Sequence, residues 1–174
     1  MIPAQILQDT QHILSNMAID KARNIKCLEE LERSYRFERE EIFSAIKAVK
    51  YGEDQIQSNG NPDDRNIFMV LQLDKMEKKY HEEIEPLLME LERIEKLTAF
   101  ICGMKNDSGK ALRWFYIGWN NDTDGIVEGR RNGAKLHKGE IGDELCYDRF
   151  GAADILRQGE RECAEFLIKN RLLF

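Results

Sequence analysis

Proline, aromatics and long apolar runs are all scarce in this sequence. Three prolines occur in 174 residues, and aromatics make up 9%. With 33% of residues charged, that balance suits long solvated helices better than a large globular core. No window of about 18 apolar residues exists, which excludes a membrane-spanning helix. Met1 to Gln11 lacks a basic segment followed by an apolar core, so no signal peptide is expected. His12, His81 and His137 are scattered, with no Cys or His at ligand spacing, so no metal site is expected. Cys27, Cys102, Cys146 and Cys163 lie far apart without a Cys-x-x-Cys. They read as reduced cysteines of a cytosolic protein rather than as a disulfide framework. No Ser or Cys sits near a His as nucleophile beside base, and no phosphate-cradling glycine motif carries its lysine. Asn120, Asp122, Asp124 and Gly125 fit the first half of a calcium loop. Arg131 stands where such a loop needs its bidentate Glu, so the stretch reads as a polar turn. The expectation is a protein with no catalytic residues, no metal and no cofactor.

What the sequence does contain is helical periodicity. Ala4 to Lys50 holds no Pro or Gly, and Leu14, Leu28, Tyr35, Ile42 and Val49 fall on one seven-residue grid, broken at Lys21 and Asn24. Tyr51 to Asp64 is rich in turn formers (Gly52, Asn59-Gly60, Asn61-Pro62), and Asp63 or Asp64 is placed to cap a second helix. From Arg65 to Met104, Leu73, Tyr80, Leu87, Ile94 and Ile101 repeat every seven residues. Pro86 lies inside this run, where a kink or a fresh start is expected because an interior proline costs about 3 kcal/mol. Two such stretches joined by one loop read as a long antiparallel helical hairpin or coiled coil. A helix of that kind needs a partner for its stripe. The five heptad residues of the second helix are the expected dimerisation seam.

Residues 105–174 form the expected second domain, after a dimerisation arm over 1–104. The arm carries 14 Lys and Arg against 20 Asp and Glu, and the remainder carries 12 of each. Ser108 is placed to cap a helix over Lys110–Trp119, with Leu112, Phe115, Tyr116 and Trp119 on its apolar face. In Asn120 to Gly139, Ile126-Val127 and Lys135-Leu136-His137 flank Asn132-Gly133, which reads as a small β-hairpin or else a mobile loop. Ile141 and Leu145 share one helical face, Cys146-Tyr147-Asp148-Arg149 interrupts it, and Ala152, Leu156, Gly159, Cys163, Phe166 and Leu167 make a second stripe. That order gives a short helix, a tight turn and a longer helix with a small residue facing its partner, the layout of a helix-turn-helix. The fold class is mainly all-α.

Glu140, Ile141, Gly142, Leu145, Tyr147 and Arg149 resemble the last two helices of sigma-factor region 4-like domains. More narrowly, they resemble the small phage late-transcription regulators of the ArpU and RinA type. The run Leu112-Arg113-Trp114-Phe115-Tyr116-Ile117-Gly118 resembles the segment preceding that unit, and the resemblance covers about the last third of the chain. It implies a phage or prophage DNA-binding transcription regulator, cytoplasmic in a bacterial host, acting as a homodimer on double-stranded DNA. Arg149 and Arg157 are then the residues nearest the groove, with Arg161 on the same helix, while Arg130, Arg131, Lys135 and Lys138 hold phosphates. Two departures stand out: the Ser and Thr that open the family's recognition helix are replaced by Asp148 and, roughly, Gly151, with Asp154 where a basic residue is common, and Asn120–His137 is a longer connector than the family's short turn. Asp148, Asp154 and the charge-balanced second domain favour an alternative, a phage-encoded protein-binding inhibitor that reuses the helix-turn-helix shape or an acidic surface and works through the coiled-coil arm or the inserted Thr123–His137 segment. Such a protein would act on a host CRISPR effector, as an anti-CRISPR, or on RNA polymerase.

Overall fold

A computed structural model describes residues 2–52 and 62–173. The described residues are helical, with no strand among them: α1 (Ala4–Gly52), α2 (Pro62–Gly103), α3 (Asp107–Leu112), a π-helical turn (Arg113–Ile117), α4 (Asn121–Asp124), α5 (Lys138–Leu145) and α6 (Arg149–Lys169). The chain is therefore all-α, with a long helical hairpin. No helix among the described residues is long and apolar enough to cross a membrane. The expected turn formers Asn59, Gly60 and Asn61, the caps Asp63 and Asp64, and the grid residue Val49 fall outside the residues or side chains described. Pro86 neither breaks α2 nor restarts it. One missing backbone donor is tolerated where Ile84, Leu87 and Leu91 keep their stripe half-buried on either side.

Contacts divide the chain at 21/22 and 91/92, not at 104/105. One compact unit is 22–91. There Tyr35 stacks on Tyr80 with ring centroids 4.4 Å apart, and the Tyr35 hydroxyl donates to Glu77 at 3.3 Å. Leu31 and Met76 join the two tyrosines around a crevice of about 40 Å³. Tyr80, expected in a seam between chains, is thus engaged within its own chain, and Leu73 and Leu87 are half-buried there. The same helices leave Ile67, Phe68, Val70 and Leu71 more than half exposed, at 57%, 61%, 64% and 54%.

The other unit combines 2–21 with 92–173, and it absorbs the rest of the expected seam. Ile94 and Ile101 are 2% and 0% exposed, in one core with Leu14, Leu97, Leu112, Ile141, Leu156 and Leu167. Residues so enclosed cannot also face a second chain. A heptad grid shows which face is apolar and leaves open which helix covers it. Lys21, on the grid, is exposed and pairs with Glu95 at 3.8 Å, while Asn24 is buried.

α3 and α5 both pack on α6. The expected small contact residue is Gly159, where a Cβ would lie 2.7 Å from Leu112 Cγ and 3.0 Å from the Ser108 carbonyl oxygen. α3 starts earlier than expected. Its cap is Asn106, whose Oδ1 accepts from the Gly109 N–H at 3.0 Å. Ser108 is buried, and its hydroxyl donates to Glu162 at 3.3 Å. The expected helix over Lys110–Trp119 instead turns π-helical at Arg113 and stops at Gly118, whose φ of 118° only glycine adopts readily.

No β-hairpin forms between Ile126 and Leu136; the segment is fastened to the two tryptophans instead. Trp119 N–H donates to the Ala134 carbonyl at 2.8 Å, Gly133 N–H to the Trp119 carbonyl at 2.6 Å, and Leu136 N–H to the Trp114 carbonyl at 2.9 Å. The Trp119 indole N–H reaches the Gly125 carbonyl at 2.8 Å.

The α5–turn–α6 pair keeps close to the expected boundaries. His137 caps α5: its Nδ1 accepts from the Gly139 and Glu140 amides at 3.1 and 3.2 Å, and Glu140 accepts from the His137 amide at 2.9 Å. This is a capping box with His in place of the usual hydroxyl. The turn is three residues. Gly142 lets it close, because a Cβ there would meet the Tyr147 carbonyl oxygen at 2.7 Å. Cys146 takes the left-handed conformation, at φ 60° and ψ 36°. A side chain is disfavoured there by roughly 1–2 kcal/mol. Cys146→Gly is therefore expected to stabilise this unit by about 1 kcal/mol, and Cys146→Val to destabilise it. Thermal melts monitored by circular dichroism check both directions.

Candidate nucleic-acid interface

The α5–turn–α6 pair brings two of the seven expected contact residues to one place. Arg149, the first residue of α6, and Lys138, the first of α5, line a cleft of about 520 Å³ with Phe115, His137 and Gly139. Both cations are exposed, and neither makes an ion pair among the described residues. Arg131 and Lys135 are also exposed and unpaired among the described residues. They line a second cleft of about 450 Å³ with Val127, Leu136 and Glu140, residues that flank the start of α5. Arg161 is exposed on α6.

Two expected phosphate or base contacts are engaged elsewhere. Arg130 pairs with Glu144 at 2.6 Å, its side chain 15% exposed, and its guanidinium lies 4.4 Å from the Trp119 ring centroid. It fastens the Gly125–Leu136 segment to α5, and it also lines the second cleft with Arg131 and Lys135. Arg157 pairs with Asp154 at 3.1 Å, but both side chains remain largely exposed. An exposed pair of this kind is worth roughly 0–1 kcal/mol, so Arg157 can exchange it for another acceptor.

Asp148 loses its ambiguity here. Its Oδ1 accepts from the Gly151 amide at 2.6 Å, the first-turn bond that a Ser would also make. The carboxylate caps the helix instead of standing at a base-reading position. Sequence spacing missed Phe150, which is 79% exposed at the first turn of α6, with Tyr147 at 44% beside it in the turn. The signal was present: Phe150 falls off the stripe that runs from Ala152 to Leu167, so it had no place in the core.

The same unit contains a buried polar contact. Glu160 is 4% exposed, and its carboxylate accepts from the Tyr116 hydroxyl and from Gln11 Nε2, each at 2.6 Å. This joins α1, the π-helical turn and α6. Burial, then the bond to Glu160, pushes the Tyr116 hydroxyl well above its ordinary value. Burial, then the Glu162 and Glu160 charges, raises the Cys163 thiol to about 12. An unfolded thiol ionises near its ordinary 9.0, so the unfolded chain sheds a proton that the folded chain retains. The corresponding stability is present below pH 9 and is lost as pH rises toward 12. The urea midpoint is expected to fall steeply from about pH 8 to about pH 10.5, and that of Cys163→Ala to fall less steeply from a lower start.

Among the described residues no three His, Cys, Asp or Glu side chains converge as a metal site. Comparison with protein-family models, with curated proteins and with solved structures gave no match in any of the three. Fold alone defines an all-α chain whose last elements are a short helix, a three-residue turn and a longer helix.

Proposed function

We propose that this protein is a DNA-binding transcription regulator of the phage or prophage kind that the sigma region 4-like resemblance implies. It acts in the cytoplasm of a bacterial host, as a dimer on duplex DNA. The observation that carries this reading is the meeting of Lys138 and Arg149, both unpaired among the described residues, at the first turns of α5 and α6. The start of a second helix is the part that enters a major groove in helix-turn-helix proteins, while the first helix crosses the backbone. Asp148 is bound to the Gly151 amide as a helix cap and Asp154 is paired to Arg157, so both carboxylates have partners within α6. Dimerisation is assigned to exposed Ile67, Phe68 and Leu71 of the 22–91 unit, since the heptad residues are engaged within the chain.

The test is selection of bound fragments from a random duplex pool, with the apparent mass measured in the same buffer. The reading requires an enriched motif and a mass above 20.3 kDa. A second reading is favoured by the equal counts of acidic and basic residues over 105–174. In it the same surface binds a host protein such as RNA polymerase or a CRISPR effector. Capture of that protein from lysate after nuclease treatment, with no enriched motif, would replace the first reading with the second.

A further inference from the structure

Exposed apolar side chains are ordinary on protein surfaces when scattered, so Phe150 counts only through its setting. It stands at the first turn of α6, 79% exposed. On a helix, positions i, i+4, i+7 and i+11 share a face. The face of Phe150 therefore continues through Asp154, Arg157 and Arg161, all exposed. Beside it in the chain, Arg149 lines the cleft with Lys138. A patch that docks on a protein usually has an apolar centre with charge excluded to the rim. Here the Phe150 ring, with half-exposed Tyr147 in the turn before it, is set among Arg149, Arg157 and Arg161, while Asp148 is bound to the Gly151 amide and Asp154 is paired to Arg157. The three arginines outnumber the two acids, both of which are engaged, so the complementary surface is anionic with an apolar feature at side-chain reach. A duplex major groove offers that arrangement, because phosphates flank it and the thymine C5-methyl is its apolar feature.

We infer that Phe150 is a specificity-determining residue that seats a thymine methyl in the half-site, next to the base edge or phosphate met by Arg149. This rests on the DNA-binding reading above and adds the base that the surface selects. Lys138 supplies affinity and register and Arg149 adds discrimination through a charged contact; Phe150 supplies a preference that carries no charge. Removing the ring therefore changes which sequence is bound without changing how affinity responds to salt.

The experiment uses the full chain and a duplex taken from the selected pool, labelled for fluorescence anisotropy. Each thymine is replaced in turn by deoxyuridine, which deletes the methyl and nothing else. Wild type is expected to lose about three- to five-fold in affinity at one thymine per half-site, the value of one buried methyl group. Phe150→Ala is expected to bind the thymine and deoxyuridine duplexes equally, with an unchanged salt slope. Phe150→Leu, which keeps apolar contact, is expected to retain part of the preference, and matching melts of all three proteins show that each is folded. Three outcomes overturn the inference and leave DNA binding standing. The selected motif contains no thymine, wild type is indifferent to every replacement, or Phe150→Ala keeps the full preference. Absence of binding to any duplex overturns the DNA reading itself. Loss of host-protein capture in Phe150→Ala, with the thymine preference intact, assigns the ring to a protein partner instead.

Discussion

Gly159→Leu is expected to destabilise the unit formed by 2–21 and 92–173 by about 3 kcal/mol or more. In an unconstrained helix, replacing glycine stabilises by roughly 0.5–1 kcal/mol. Here the steric cost decides the sign. A Cβ on Gly159 meets Leu112 Cγ and Cδ1 at 2.7 Å and the Ser108 carbonyl oxygen at 3.0 Å. Leu112 is itself fully buried and cannot swing into solvent, and the Ser108 oxygen belongs to the α3 backbone. Additional side-chain atoms therefore force α3 away from α6, which disturbs the π-helical turn continuous with α3. Gly159→Ala is expected to cost about 1–2 kcal/mol. A cycle with Leu112→Ala separates the causes: that change alone costs about 2–5 kcal/mol, and the double variant is expected to cost less than the sum. Gly103→Ala is the control, since a Cβ there meets nothing within 4 Å. Urea midpoints measure every variant, and a stabilising Gly159→Leu would show that α3 does not lie against α6 here.

The second large effect concerns binding. Arg149→Ala is expected to cost about 1–3 kcal/mol on the selected duplex and to narrow the difference between that duplex and a random one. Lys138→Ala is expected to weaken selected and random duplexes alike, without changing their ratio. Arg130→Ala is predicted to act differently from both. With its ion pair to Glu144 and its stacking on Trp119, Arg130 holds the Gly125–Leu136 segment, so its loss lowers the melting temperature first. Affinity and melting measured on the same three variants distinguish a contact from a support.

Much of this fold was legible because its signals are local. The start of α1 at Ala4 and the buried stripe of Ala152, Leu156, Gly159, Cys163 and Leu167 come from spacing alone. The break before α6 was read one residue too long, as Cys146–Arg149, because Arg149 already belongs to the helix that Asp148 caps. What spacing missed depends on residues far apart in sequence. Ile94 and Ile101 have the heptad period of a seam, yet their cover comes from helices at the other end of the chain. Arg130 looked free because Glu144 and Trp119 lie 14 and 11 positions away. Asp148 looked like an obstacle to DNA because its role depends on where α6 begins. Once the helix starts at Arg149, the same carboxylate becomes its cap. The candidate site was half legible: Lys138 and Arg149 were expected apart, as a phosphate contact and a base contact, and they share one cleft. Phe150, exposed at the start of α6, was passed over because candidate residues were sought by charge.

The most direct test is the salt dependence of duplex affinity for the intact protein. If the helix-turn-helix unit holds DNA through unpaired cations, log K falls linearly with log salt, by roughly 0.9 for each phosphate neutralised. The slope is expected to decrease by about one in Lys138→Ala. A random duplex that shows no binding at micromolar protein and low salt would contradict the account.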